Sequence, residues 1–392
     1  MKKRISVLAA VVCLCMVPVY AEESPAEPVT EATAPSAEEL SDDIYSFQIK
    51  IDGEQYQFPM KFEEFTEMGW KLNGVNSEEK ISPNSYGSVR MKKGRIEASV
   101  TVMNFSINTK LLSECYVAGI YLEEYYLENQ MSFELPKGIT YSMSTREDVE
   151  AAYGPASDTY ESENYTRLTY DAENYYSGVE IYIDQESKMV SGVSMRCLTE
   201  PEDLEEDVVS QEIPEFVTQY QAPAELGEDL SSCIAEIDES LYKIPAPVSV
   251  FLENGWKLSY NDNSEVIAGK DSGYGYSLIK DNQRFGIDVR NYDENATTVE
   301  NCFVVEIHND DFSTVIPVNL QKGITFNMNT ADLESALEGT LYEKKEYSSL
   351  NSYFIPSYDD KYYGTTITVD KEEDRIVKIS IHRSPNTENL FD

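Results

Sequence analysis

The chain contains one pattern twice. Leu135, Lys137, Gly138, Ile139, Thr140, Met143 and Thr145 recur in the same spacing as Leu320, Lys322, Gly323, Ile324, Thr325, Met328 and Thr330. A second block, Ile49 to Leu72, aligns without a gap onto Ala235 to Leu258. Its matched residues include Asp52, Tyr56, Pro59, Phe65, Gly69 and Trp70. Two blocks at nearly the same offset indicate duplication of one module, and the spacing is far too long for a solenoid repeat. The organisation that follows is a leader at 1–21, an acidic spacer at 22–43 and a first module at 44–198. An acidic linker at 199–234, a second module at 235–384 and a short polar tail at 385–392 complete it.

Each module opens on a strand pattern. Phe47, Ile49 and Ile51 alternate with polar residues, and Asp52-Gly53 is a hairpin signal leading to Tyr56 and Phe58. Phe62, Phe65 and Met68 then recur at helical spacing, as do Val248, Phe251 and Leu252. Gly69 and Gly255 sit where a left-handed helix stop belongs, and Trp70 and Trp256 follow at once. These are the only tryptophans of the chain, and their matched places make them core anchors, with sugar stacking as the alternative. In the second part of each module, Ser144 with Glu147 and Asn329 with Asp332 read as helix caps. Val149, Ala152 and Tyr153 share a helical face, as do Leu333, Ala336 and Leu337. Alternating strands follow, around Val179 to Ile183 and Ile367 to Val369, returning through Val193 and Ile379. The expected class is α+β: two tandem copies of a module with an antiparallel sheet packed against short helices.

The second half of each module, on Gly138, Ile139, Thr140, Val149, Tyr153, Gly154 and Pro155, resembles the BamE/SmpA-like lipoproteins and the β-lactamase inhibitor protein fold. Copy two keeps Gly323, Ile324, Thr325, Leu333 and Leu337 and loses the Gly-Pro ending. The resemblance covers less than half of the chain and carries no functional residue. It implies a non-enzymatic scaffold that recognises proteins or organises a cell envelope.

Export is read from the N-terminus. Lys2, Lys3 and Arg4 precede an apolar run from Ile5 to Val17, and Val19-Tyr20-Ala21 forms a cleavage site, so the expected location is secreted or extracellular. The run is shorter than the ~20 apolar residues of a membrane span, the alternative being a retained anchor. The chain holds 31 Lys and Arg against 71 Asp and Glu, a net charge of −40, and loss of the leader makes it three charges more negative. Such a surface repels phosphate backbones and anionic membranes, which excludes nucleic acid and membrane insertion of the mature chain. Beyond the leader lie Cys115, Cys197, Cys233 and Cys302. Cys115 and Cys302 match each other and read as buried thiols. A Cys197–Cys233 bridge would close off the linker in an oxidising compartment, and spacing alone does not choose among the three connectivities.

Catalytic patterns are missing. His308 and His382 are the only histidines. Each ends a strand and reads as a surface residue rather than a general base. No nucleophile elbow, HExxH or phosphate loop occurs. Asn291 to Asn295 has some of the alternation of a calcium loop but lacks its glycine, so no metal site and no cofactor are assigned. The function expected is that of a secreted or cell-surface non-enzymatic binding protein whose partner is an extracellular or envelope protein or glycan. The alternatives are a carbohydrate-binding module, in view of 28 tyrosines, and a hydrolase using paired carboxylates. The candidate contact residues are Tyr175 and Tyr176, before Gly178, and Tyr362 and Tyr363, before Gly364. Neighbouring residues of an extended segment face opposite ways, so one tyrosine of each pair can pack while the other meets a ligand. Covering the sheet edge is their simpler role.

Overall fold

The computed structural model describes residues 39–123, 132–174, 176–259, 266–310, 318–326 and 328–391. The leader, most of the acidic spacer and Tyr175 lie outside the described residues.

Alternation of apolar and polar residues builds most of this protein, and it overturns the α+β expectation. The chain is 44% strand and 16% helix, so its class is all-β. The helical spacings are real but short. Among the described residues the α-helices are α1 (Phe62–Glu67), α2 (Arg146–Tyr153), α3 (Glu215–Gln219), α4 (Val248–Glu253) and α5 (Thr330–Ala336). None exceeds about two turns, too little to form a layer of its own. Each of α1, α2, α4 and α5 contributes one or two buried residues to a core made mainly by strands.

The first half contains a nine-stranded antiparallel sheet. Its strands lie side by side in the order Asp158–Glu161, Tyr165–Asp171, Gly178–Asp184, Val190–Arg196, Tyr116–Glu123, Ile96–Asn104, Ser85–Lys93 and Lys71–Leu72, with Met60–Lys61 also on Tyr116–Glu123. The second half has the same order: Glu343–Glu346, Leu350–Pro356, Gly364–Asp370, Arg375–His382, Phe303–Asp310, Gln283–Arg290, Ser272–Lys280 and Lys257–Ser259, with Ala246–Pro247 on Phe303–Asp310. The inward residues of each large sheet close over a core shared with the small hairpin sheet and the helices. Trp70 and Trp256 are buried within these cores. Trp70 stacks on Phe65 and its Nε1–H donates to the Tyr56 hydroxyl at 3.1 Å. Trp256 meets the edge of Phe285.

The repeated Lys-Gly-Ile-Thr stretch has a mechanical explanation. Lys137 and Lys322 both adopt left-handed backbone, at φ 58° and 57°. Each then sends its amine to a carbonyl at the end of the following helix, Lys137 to Ala152 at 2.6 Å and Lys322 to Glu338 at 3.1 Å. A cation there satisfies an orphan carbonyl and complements the helix dipole. The caps at the other end differ from expectation in one copy. Asn329 accepts from Asp332 N as read, whereas the first cap is Thr145 with Asp148, one residue beyond Ser144 and Glu147. Ser144 instead turns inward and its hydroxyl accepts from Thr140 N at 2.9 Å.

The four cysteines among the described residues are buried free thiols, so Cys197 and Cys233 are not bridged. Burial pushes the Cys115 and Cys233 thiols up to about 12. The segment 199–234 is more than a spacer. Leu204 packs on the patch Met103, Phe105, Tyr116 and Ala118. Phe216, Val217 and Tyr220, from α3 and its end, cover the equivalent patch of Tyr292, Phe303 and Val305, together with Leu390 of the tail.

The halves meet through matched loops. Asn104 and Asn291 are buried, and the Nδ2 of each faces three carbonyl oxygens. These are Ile81, Ser82 and Asn108 for Asn104, and Ile267, Ala268 and Asn295 for Asn291. The two loops then bond each other: Thr109 N to Glu294 O at 2.8 Å, Gly269 N to Ile107 O at 2.9 Å and Ala296 N to Asn108 Oδ1 at 2.7 Å. Gly269 is obligatory here, since a Cβ would lie 2.0 Å from the Glu294 carbonyl oxygen. Asp207 of the segment 199–234 braces the first of these loops, accepting from the Ser106 hydroxyl and, at 2.8 Å, from Ile107 N.

Candidate functional site

The outward faces of the two large sheets are where the copies diverge. In the first module the outward residues of four strands include Tyr121, Tyr182, Tyr165 and Tyr160. Their rings run in a row, with centroids 5.7 Å apart for Tyr121 and Tyr182, 5.4 Å for Tyr182 and Tyr165, and 6.1 Å for Tyr165 and Tyr160. The strand between Tyr121 and Tyr182 presents Gly192 opposite Tyr182, which leaves room for the rings to close over it. Successive planes are inclined by 58°, 61° and 48°, so the row is a herringbone and not a flat platform. Arg167 lies over the Tyr160 ring and pairs with Glu180, whose carboxylate also accepts from the Tyr182 hydroxyl at 3.0 Å. Burial first, then the charge of Glu180, raises the Tyr182 phenol well above its ordinary value.

Strand register gives the counterpart in the second module. Asp288 faces Glu306, and Glu306 faces His382, across three adjacent strands. In the next row Gly286 faces His308, and His308 faces Ser380. Thr101, Gly119, Tyr121 and Arg196 hold the equivalent places of Asp288, Glu306, His308 and His382 in the first module. Gly119 is fixed there, because a Cβ would meet the Met195 carbonyl oxygen at 2.1 Å. The acid–histidine group is therefore peculiar to copy two.

That group draws together both histidines of the protein. His308 Nε2 lies 3.6 Å from Asp288 Oδ2, and His308 Nδ1 lies 3.5 Å from Glu306 Oε1. His382 Nδ1 is 3.7 Å from the other oxygen of Glu306, and the Ser380 hydroxyl donates to Glu306 at 3.1 Å. The two acids and the two histidines are partly exposed, and Ser380 is buried. Asp288 first, and then the charge of Glu306, raise His308 above the ordinary imidazole value against the opposing effect of burial. Sequence reading treated the histidines as separate surface residues, since nothing local joins positions so far apart. The signal lay in their common outward parity on strands that pair.

The turn tyrosines fall in equivalent turns, with one shift. Counting back from Gly178 and Gly364, Tyr362 matches Tyr176, whereas Tyr363 takes the place of Ser177, because the second turn is one residue longer. Tyr176 and Tyr362 are exposed, at 61% and 76%. Tyr363 is half-buried with its ring against His382, so it belongs to the acid–histidine group. Tyr176 is joined to the first outward face by Arg196, whose Nε donates to its carbonyl at 2.7 Å.

A cleft of about 960 Å³ lies between the first half and the segment 199–234, lined by Asn104, Ser106, Asn108 and Leu204–Glu212, with Asn295 from the second half at its edge. Its acid Asp207 is already engaged in bracing the first loop. Searches of family models, curated proteins and solved structures find nothing that matches this chain.

Proposed function

We propose that the chain is an exported, non-enzymatic binding protein whose contact surface is the outward face of the first sheet and whose partner is a protein presenting a basic patch. The observation that carries this reading is the row Tyr121, Tyr182, Tyr165 and Tyr160, which continues through Arg196 to the exposed Tyr176. Tyrosine brings large contact area with few rotatable bonds, which is what a recognition surface needs. The tilt of the rings speaks against the carbohydrate alternative, since sugar stacking uses an aromatic face lying flat under the ring. The net charge of −40 favours a cationic protein and opposes polyanions. The resemblance to protein-binding envelope scaffolds points the same way. Among the described residues, this face carries no histidine to serve the hydrolase alternative.

The test uses the mature protein as bait in an envelope extract at high salt, where non-specific attraction to acid is screened. A variant with Tyr160→Ala and Tyr165→Ala serves as the control bait. Retention of one basic protein by the unmodified bait, lost by the variant at unchanged melting temperature, supports the reading. Equal retention by both baits overturns it. Glycan-array binding lost in the same variant moves the assignment to carbohydrate.

A further inference from the structure

We infer that Asp288, Glu306 and His308 form a binding site for a divalent zinc-like cation on the outward face of the second sheet. One ring nitrogen of His308 and one oxygen from each acid lie within 4.8 Å of one another. The nitrogen–oxygen separations of 3.5 and 3.6 Å are too long for hydrogen bonds. The two separations belong to different ring nitrogens, Nε2 toward Asp288 and Nδ1 toward Glu306, and an ion takes only one of them. Either alone is close to one edge of a tetrahedral zinc site, about 3.4 Å with bonds of about 2.1 Å. The remaining acid oxygen lies within the 4.8 Å span.

The backbone arrangement argues for a cation independently. Asp288 and Glu306 are directly opposite on neighbouring strands, a placement of like charges that costs stability. The first module has Thr101 and Gly119 in those places, so the fold itself does not require the acids. Gly286 stands beside His308 and leaves that flank of the imidazole uncovered. Glu306 is oriented by outer partners: the Ser380 hydroxyl on one oxygen, and His382 near the other. His382 is in turn backed by the Tyr363 ring at 4.8 Å between centroids. Supporting groups around ligating carboxylates are a regular feature of metal sites.

The ligand types select the ion. One imidazole with two carboxylates suits zinc and its neighbours in the first transition row, whereas calcium and magnesium take all-oxygen sets. Three protein ligands leave the fourth position open for water or for a donor group on a bound partner. His382 acts through Glu306 and is a positioning residue.

The experiment titrates zinc into chelator-treated mature protein by calorimetry, with magnesium and calcium as comparison ions. The expected result is one saturable zinc site per chain, with a raised melting temperature, and no comparable site for the other two ions. Asp288→Asn, Glu306→Gln and His308→Asn should each weaken zinc by at least ~10-fold, and His382→Asn by about 10-fold. In chelator none of the four variants should melt below the parent, because the side chains are partly exposed, and Asp288→Asn or Glu306→Gln should melt slightly above it by relieving the facing charges. Cobalt bound to the unmodified protein should give the intense visible absorption of four-coordinate geometry and lose it to zinc, a readout that needs no variant. Absence of a saturable zinc site, or zinc affinity indifferent to both Glu306→Gln and His308→Asn, overturns the inference.

Discussion

Replacing either buried loop asparagine by alanine tests the reasoning about how the halves are built. Asn291 Nδ2 lies 3.2, 3.0 and 2.8 Å from the carbonyl oxygens of Ile267, Ala268 and Asn295, and its Oδ1 accepts from Asp293 N at 2.8 Å. Asn104 makes the same four contacts at 3.0, 3.1, 2.8 and 2.9 Å. Truncation leaves three acceptors and one donor without a partner. The amide has two N–H protons to share among the three carbonyls, so with the accepted bond three bonds are lost, and at about 1 kcal/mol net for each, either single change should cost about 3 kcal/mol. Aspartate should be worse than alanine, since it turns a second oxygen toward the three carbonyls. The loops bond each other through Asn108 and Glu294, so the two changes are coupled, and the double variant should fall short of the sum by about 1 kcal/mol. Urea unfolding can be followed by fluorescence in variants that keep only Trp70 or only Trp256, which reads the halves separately. A cost below about 1 kcal/mol for either single change would refute the role given to these asparagines. Strict additivity would refute the coupling across the joint.

Trp70→Ala and Trp256→Ala should each cost about 3–5 kcal/mol in urea unfolding, as expected for a buried core aromatic. Arg383 is fully buried and its guanidinium meets Asp359 at 2.7 and 3.0 Å, so Asp359→Ala should cost about 3–5 kcal/mol by leaving that cation unmatched. Burial alone would raise the Asp359 carboxyl, but the Arg383 and Ser357 hydrogen bonds outweigh it and hold the group below its ordinary value. A depressed carboxylate contributes stability that is present above its unfolded pKa and lost as pH falls through the folded one. Melting temperature should therefore drop below about pH 4, and Asp359→Asn should be both less stable and flatter over that window. The mature chain should release four thiols to a disulfide reagent only after denaturation, and reductant should leave its melting temperature unchanged; rapid labelling of the native protein, or a melting temperature lowered by reductant, would contradict the free, buried thiols.

The likeness of the two halves, the tryptophan anchors and the Asn329 cap were legible because each is written in local spacing. The fold class was not, because periodicity at Phe62 and Phe65 signals a helix without saying how short it is. Ser144 and Thr145 each have an acid three residues on, and only the inward turn of Ser144 decides between them. The asparagines at 104 and 291 could have been found by extending the alignment, since Asn108 and Asn295 also match. The acid–histidine group could not, because it depends on which strands become neighbours, and Glu306 and His382 are far apart along the chain. The role of 199–234 was hidden by its acidity, within which Leu204, Phe216 and Val217 are sparse.

The bracing of the first loop by Asp207 ties that point of the connecting segment to one half and not the other. Ser106 donates to Asp207, and its counterpart in the second loop is Asp293, whose carboxylate accepts from Asn295 N at 2.9 Å. A gene with the halves transposed would bring the Asp293 carboxylate to the place of that hydroxyl, two anions at hydrogen-bonding distance with no proton between them. The two halves share one strand order, yet they are not permutable. One carboxylate, encoded outside either repeat, is enough to give the pair a direction.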